Sequence, residues 1–282
     1  MLIIAAMLAI LMGLTLGLLG GGGSILTVPI LVYILKVPDK TAIAMSLLVV
    51  GTTSLVAMSS HARQGNVVWR TGLIFGLFGM VGAFLGGKIA AFIPGPILLT
   101  LFALLMLVTG AAMLRPRKDA GPETPEDDNK QLPVIKVALE GVVVGAVTGL
   151  VGAGGGFLVV PALALMGGLS MKRAIGTSLL VIAMKSFAGF ASFASFVTLD
   201  WTLFGVFTGA AILGTIGGTL LARKIDASKL RTGFAVFVFV MAAGMISQQL
   251  GAPAWLSATL AATTLALVTL YIRARDAKLA LA

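Results

Sequence analysis

Six stretches of this chain, 2–35, 41–60, 89–114, 141–171, 201–222 and 232–272, contain no charged residue. A helix crosses the hydrocarbon core of a bilayer with about 20 apolar residues, and every one of these stretches supplies that length. In lipid, only internally hydrogen-bonded helices or closed barrels satisfy all backbone polar groups. Barrel strands alternate polar and apolar side chains, whereas these runs are continuously apolar. Charged residues make up 11% of the 282, against about 25% in a soluble domain. The pattern excludes an ordinary soluble enzyme and implies an all-α polytopic integral membrane protein.

Bulk properties add smaller constraints. Met1-Leu2-Ile3-Ile4 carries no basic n-region and no clear small-residue cleavage site follows, so the first helix is expected to be retained. The chain has no cysteine, which removes disulfides, thiolate metal sites and cysteine nucleophiles. The net charge of +10 would point to nucleic acid in a soluble chain. Here the positive residues sit in short loops between spans, where they set orientation, and nucleic acid is not an expected partner.

The chain repeats itself. Gly17-Leu18-Leu19-Gly20-Gly21-Gly22-Gly23-Ser24-Ile25-Leu26-Thr27-Val28-Pro29 aligns with Gly149 through Pro161 at an offset of 132, with eight of thirteen positions identical. The same offset carries Ala42–Val49 onto Ala174–Val181, Trp69 onto Trp201, Gly82 onto Gly214 and Gly86 onto Gly218 without a gap. One register held over so many residues is the mark of duplication. The spacing predicts helices near 2–19, 24–36, 41–60, 71–92 and 96–114, matched by 134–151, 156–167, 172–197, 202–222 and 230–248. An extra helix is expected near 254–272. The organisation is thus a first transmembrane repeat (1–114), a polar cytoplasmic linker (115–133), a second repeat (134–248) and a final helix with a cytoplasmic tail (249–282).

Loop charge indicates how the chain threads the bilayer, because Lys and Arg concentrate on the cytoplasmic side. Reading 2–36 and 134–167 as unbroken spans divides the Lys and Arg 12 against 7. Letting both segments turn back at their glycines places Lys36, Lys40 and Lys88 on one side and the other 16 opposite. The second arrangement is preferred. It gives five segments per half, so the halves insert with opposite polarity, the N-terminus external and the C-terminus cytoplasmic. Segments 24–36 and 156–167 reach only about 20 Å at 1.5 Å per residue, so they read as re-entrant half-helices. An inverted-topology repeat with glycine-broken helices is the pattern of secondary transporters.

That pattern directs attention to the breaks themselves. Gly20, Gly21, Gly22, Gly23 and Ser24 in the first half, and Gly152, Gly154, Gly155 and Gly156 in the second, lack the ending of a P-loop and the spacing of a dinucleotide fingerprint. Glycine lets backbone approach a ligand closely, and the N–H groups that open the following helix are unpaired, so each break is a candidate contact for an anion. Tight turning alone is the competing explanation. Pro29 and Pro161 fall at matching places in the half-helices, where a bend is the expected effect.

The helices after the breaks carry a polar stripe: Ser46, Thr53 and Ser54 in one half, Ser178, Lys185 and Ser186 in the other. Lys185 is the one basic residue deep in an expected span. A central Lys costs roughly 2.5–3.5 kcal/mol on insertion scales, so it should face a partner or a cavity. It is a candidate countercharge for an anionic substrate, with Ser46, Thr53 and Ser178 beside it. A structural pairing with Glu140 or free carbonyls is the alternative. His61, the sole histidine, has Phe193 as its repeat mate; a proton-coupling role is open to it, but a solvated rim position is the stronger expectation. With one histidine and no cysteine, no transition-metal site is expected. Gly82-x-x-x-Gly86 and Gly214-x-x-x-Gly218 suit close helix packing, within one subunit or across a homodimer.

The doubled glycine run, the Ala44-Met45-Ser46-Leu47-Leu48-Val49 and Gly176-Thr177-Ser178-Leu179-Leu180-Val181 blocks, and His61-Ala62-Arg63-Gln64-Gly65-Asn66-Val67-Val68-Trp69 together resemble the TauE/SafE sulfite-exporter family. The resemblance spans both halves. It implies a prokaryotic plasma-membrane permease for sulfite or organosulfonates such as sulfoacetate. The chain departs from strict duplication at Lys185, whose mate Thr53 is neutral, and at His61, which leaves one or both half-sites as the binding element.

The leading reading is therefore a secondary transporter of a small sulfur-containing anion, working by alternating access. A permease for another small organic or inorganic anion is the runner-up, and a non-transporting membrane subunit the third. An embedded enzyme is disfavoured, since no nucleophile–base pair, no acid pair and no catalytic residue is visible. No cofactor is expected, and with no ATP-binding motif the energy would come from a gradient or a separate partner protein.

Overall fold

The computed structural model describes residues 2–20, 24–114, 134–151, 156–166, 168–195, 197–222, 225 and 227–251, with single positions at 259, 262, 263 and 266. Gly21, Gly22, Gly23, Gly152, Gly154, Gly155, the linker and nearly all of the helix expected at 254–272 lie outside the described residues. The described elements are all helical. In chain order they are α1 (Leu2–Leu19), α2 (Ser24–Pro29), α3 (Asp39–Arg63), α4 (Trp69–Ala90) and α5 (Gly95–Leu114), then α6 (Val134–Val151), α7 (Gly156–Pro161), α8 (Met171–Phe193), α9 (Trp201–Ala222) and α10 (Ala227–Gln249). Of these, α1, α3, α4, α6, α8 and α9 are long and apolar enough to cross a membrane. Leu77, Val81, Leu139 and Leu213 are among the large apolar side chains left exposed on them, the surface that lipid covers. The chain is a multi-pass membrane protein.

The duplication is visible in the backbone. The Val37 N–H donates to Leu31 O at 2.9 Å and Leu169 to Leu163 at 3.1 Å. Ala42 donates to Pro38 and Ala174 to Ser170, both at 2.8 Å, and Gly72 to Val68 and Phe204 to Asp200, both at 2.9 Å. Every one of these pairs is related by the offset of 132. Pro38 and Ser170 also share the extended N-cap conformation, ψ 140° and 152°, which is the geometry that starts a helix afresh.

The segments after the breaks depart from the single half-helices expected. Each is a short α-helix ending at its proline, followed by a π-helical turn, Ile30–Ile34 in one half and Ala162–Met166 in the other. Proline has no N–H, so the carbonyl one turn before it loses its donor. Downstream the ladder widens by one residue, and the Leu35 N–H reaches Ile30 O at 3.0 Å. The equivalents Lys36 and Gly168 then take a left-handed φ, 57° and 66°; at Lys36 the turn forces that conformation on a residue with a Cβ.

Glycines decide how the halves meet. A Cβ at Gly82 or Gly86 of α4 would overlap the carbonyls of Val142 or Ala146 of α6, and one at Gly145 or Gly149 would overlap Gly79 or Ala83. The same contact recurs between α1 and α9, where Gly13 and Gly17 meet Ala211 and Thr215, and Gly214 and Gly218 meet Ile10 and Leu14. Both small-residue motifs are thus used inside one chain, joining the first half to the second. Numbers rise together along each contact, so α4 runs parallel to α6 and α1 to α9. At the centre, Gly51 packs on Phe187 and Gly189 on Leu47, so the equivalent helices α3 and α8 run in opposite directions. The short helices α2 and α7 also touch.

Candidate functional site

Helices α3 and α8 are the most deeply enclosed of the bundle, and the polar stripe lies on them. Ser46, Thr53, Ser54, Ser178 and Ser186 are wholly buried, and Lys185 is 1% exposed. The register that sets Leu47 against Gly189 and Gly51 against Phe187 brings Thr53 to the level of Lys185. The one lysine and its neutral mate therefore share the middle of the bundle.

The Lys185 stem passes Gly79 of α4, and its Nζ donates to Thr148 Oγ1 of α6 at 3.0 Å. Thr148 in turn donates to Gly145 O at 3.1 Å. Among the described residues Lys185 makes no ion pair; Glu140 instead lies 4.0 Å from Lys136, one turn away on the same helix. The structural pairing with Glu140 is thus excluded. An ammonium has three donors, and one of them is used here.

Thr148 stands in the last turn of α6, which ends at Val151, so the Lys185 amine lies against that helix end. Gly20, at the first break, takes φ 69° and packs on the Ile175 side chain of α8. Its carbonyl accepts from Ser178 Oγ at 3.3 Å, while the same hydroxyl donates to Ile175 O at 2.7 Å. Ser178 and Lys185 are seven residues apart, about 10 Å along the helix. One helix, α8, thereby contacts both neighbours, Gly20 through Ser178 and the last turn of α6 through Lys185.

Several hydroxyls in this core have nothing to bond. Ser46, Ser54 and Ser186, and Thr27 of α2, are buried with no hydrogen-bond partner among the described residues. Ser24 and Gly156, which open α2 and α7, are buried as well. An unsatisfied buried hydroxyl costs about 1–3 kcal/mol, so these hydroxyls on α2, α3 and α8 are polar groups open to a polar guest. The α-helical part after each break is six residues long. Among the described residues no cluster of His, Cys, Asp and Glu could hold a metal ion.

His61 differs from its expected place. It is 6% exposed, in the last turn of α3 rather than in a solvated loop. Thr148 and Thr27 were not singled out by sequence, because their repeat mates Leu16 and Val159 are apolar and the stripe was sought by repeat symmetry.

Residues 5–245 match the family described as sulfite exporter TauE/SafE. The chain belongs to the TauE/SafE family. A probable membrane transporter protein of Xylella fastidiosa strain 9a5c is 39% identical over 82% of this chain and 90% of that protein. The probable membrane transporter protein YdhB of Bacillus subtilis is 30% identical over 87% of this chain and 99% of its own length. A third, MJ0441 of Methanocaldococcus jannaschii, is 33% identical over 66% of this chain. No solved structure matches. This TauE/SafE protein is a membrane transporter and not an enzyme.

Proposed function

We propose that the protein carries a small sulfur-containing oxyanion, sulfite or an organosulfonate such as sulfoacetate, by alternating access across a prokaryotic plasma membrane. The observation that carries this reading is Lys185, a lysine buried in the bundle without an ion pair among the described residues and bonded to Thr148 in the last turn of α6. A sulfonate or sulfite oxygen would take the free donors of Nζ, and the hydroxyls of Ser46, Thr53 and Ser178 would complete the shell with backbone from Gly20–Ser24 and Gly152–Gly156. Charge-assisted bonds of this kind are roughly twice as strong as neutral ones.

The two halves (1–114 and 134–248) insert with opposite polarity, the N-terminus external and the C-terminus cytoplasmic. Supporting this are the opposed directions of α3 and α8, the 3-to-16 division of Lys and Arg, and the exposed Trp69 and Trp201, which begin α4 and α9 as interfacial anchors do.

Flux into liposomes holding the purified protein tests the substrate. Sulfite or sulfoacetate should move and compete with each other, with taurine and sulfate competing less. Flux of a small carboxylate in preference to both would reassign the substrate, and no anion flux at all would overturn the transport reading of the site.

A further inference from the structure

The described residues enclose a second polar space, away from Lys185. A cavity of about 270 Å³ lies where the end of α3, the α3–α4 turn, the start of α8 and the end of α9 meet, with His61, Gln64, Asn66, Lys172 and Thr219 as its polar lining. Among the described residues that line it there is no carboxylate. Lys172 is exposed and supplies the basic group; the Gln64 and Asn66 amides add neutral donors. At about 30 Å³ per water, the space takes a small sulfonate together with several waters.

Its position links it to the deep site. Ile175, which also borders the cavity, is the side chain on which Gly20 packs, so the cavity abuts the first break. From Thr219 a narrower void of about 60 Å³ runs between α3 and α9 past Ser60 and Thr215. Thr215 Oγ1 is buried without a partner among the described residues.

The repeat mates of His61, Ser60 and Thr219 are Phe193, Ser192 and Gly87, and there the equivalent space is filled. Phe193 is 0% exposed. Ser192 Oγ occupies the place a Cβ on Gly87 would take, and Phe193 Cε2 lies 3.1 Å from that point. Among the described residues, the mouth therefore has no counterpart at these positions of the other half.

We infer that the His61–Lys172 cavity is a docking site for a small oxyanion on one face of the protein, from which the anion passes to Lys185. This deepens the transport reading and rests on it. Lys172 holds the anion by charge, and His61 and Asn66 orient it.

Equilibrium titration of purified protein with sulfite and with sulfoacetate separates the two sites. Wild type should bind in two steps, and Lys185→Met should keep one. Adding Lys172→Gln to Lys185→Met should weaken the remaining step at least about tenfold, the worth of one lost charge-assisted contact, and Lys172→Arg in its place should retain it within about threefold. Binding in Lys185→Met that is absent, or unaltered by Lys172→Gln, overturns the docking site while wild-type flux still upholds the transport reading. A Lys172-dependent step seen with phosphatidylglycerol in nanodiscs but with neither soluble anion assigns the cavity to a lipid headgroup and overturns it too. Wild type that neither binds nor transports either anion overturns both readings.

Discussion

Lys185→Met is expected to abolish anion transport while leaving the fold at least as stable as wild type. Methionine fills the same channel past Gly79 with an unbranched, adaptable chain. Thr148 keeps its bond to Gly145 O, so no group is orphaned by the change. Removing a charge from the bilayer centre recovers up to about 2.5–3.5 kcal/mol on insertion scales, and apolar replacement of buried charged groups is often neutral or stabilising. Transport moves the other way. Losing a hydrogen bond from a charged donor to the anion costs about 1.5–3 kcal/mol, which at 1.4 kcal/mol per decade is roughly 10- to 100-fold, and the lost attraction across a dry site enlarges it. Flux in proteoliposomes should fall at least about 100-fold, with thermal unfolding in detergent unchanged or shifted upward. A variant that transports normally, or unfolds well below wild type, would assign Lys185 a structural role.

Gly86→Val should prevent the bundle from closing. The obstacle to a side chain there is the backbone of Ala146 and Leu150 on α6, and backbone cannot rotate aside as a side-chain tip does. Helices α4 and α6 would have to separate, which also loosens Gly79, Gly82, Gly145 and Gly149. Overpacking costs about 1–3 kcal/mol where neighbours give way; here the cost should exceed about 3 kcal/mol, read as loss of monodisperse protein or a large drop in unfolding temperature. Gly209→Ala is the control. Nothing lies within 4 Å of a Cβ at that position of α9, so the change should be neutral or gain up to about 1 kcal/mol of helix propensity. Equal tolerance of both substitutions would contradict the parallel backbone contact.

Most of the architecture was legible because charge marks the ends of membrane helices. Expected spans such as 41–60 and 202–222 match Asp39–Arg63 and Trp201–Ala222 to within a few residues, since the uncharged runs stop where water begins. The second half's third segment was drawn to 197, past its observed end at Phe193, because apolar residues continue beyond the helix. The π turns after Pro29 and Pro161 were not visible; a proline signals a disturbed ladder but not how the backbone repairs it. In the candidate site, the buried stripe could be read from residue spacing, whereas Thr148 could not. It pairs with Lys185 only because α6 and α8 meet in space, and comparison between the halves hides it behind Leu16. His61 was misplaced because a short polar segment follows it in sequence, while in space α8 and α9 cover it.

The central claim is that the two glycine-broken arms approach the site from opposite faces. Pro38 and Ser170 are repeat equivalents just past the arms, and the chain has no native cysteine, so Pro38→Cys and Ser170→Cys can each carry a single membrane-impermeant maleimide in intact cells. The account predicts that position 38 is labelled from outside and position 170 only after the membrane is opened. Labelling of both from the same face would mean unbroken arms and halves of equal polarity, and would contradict it.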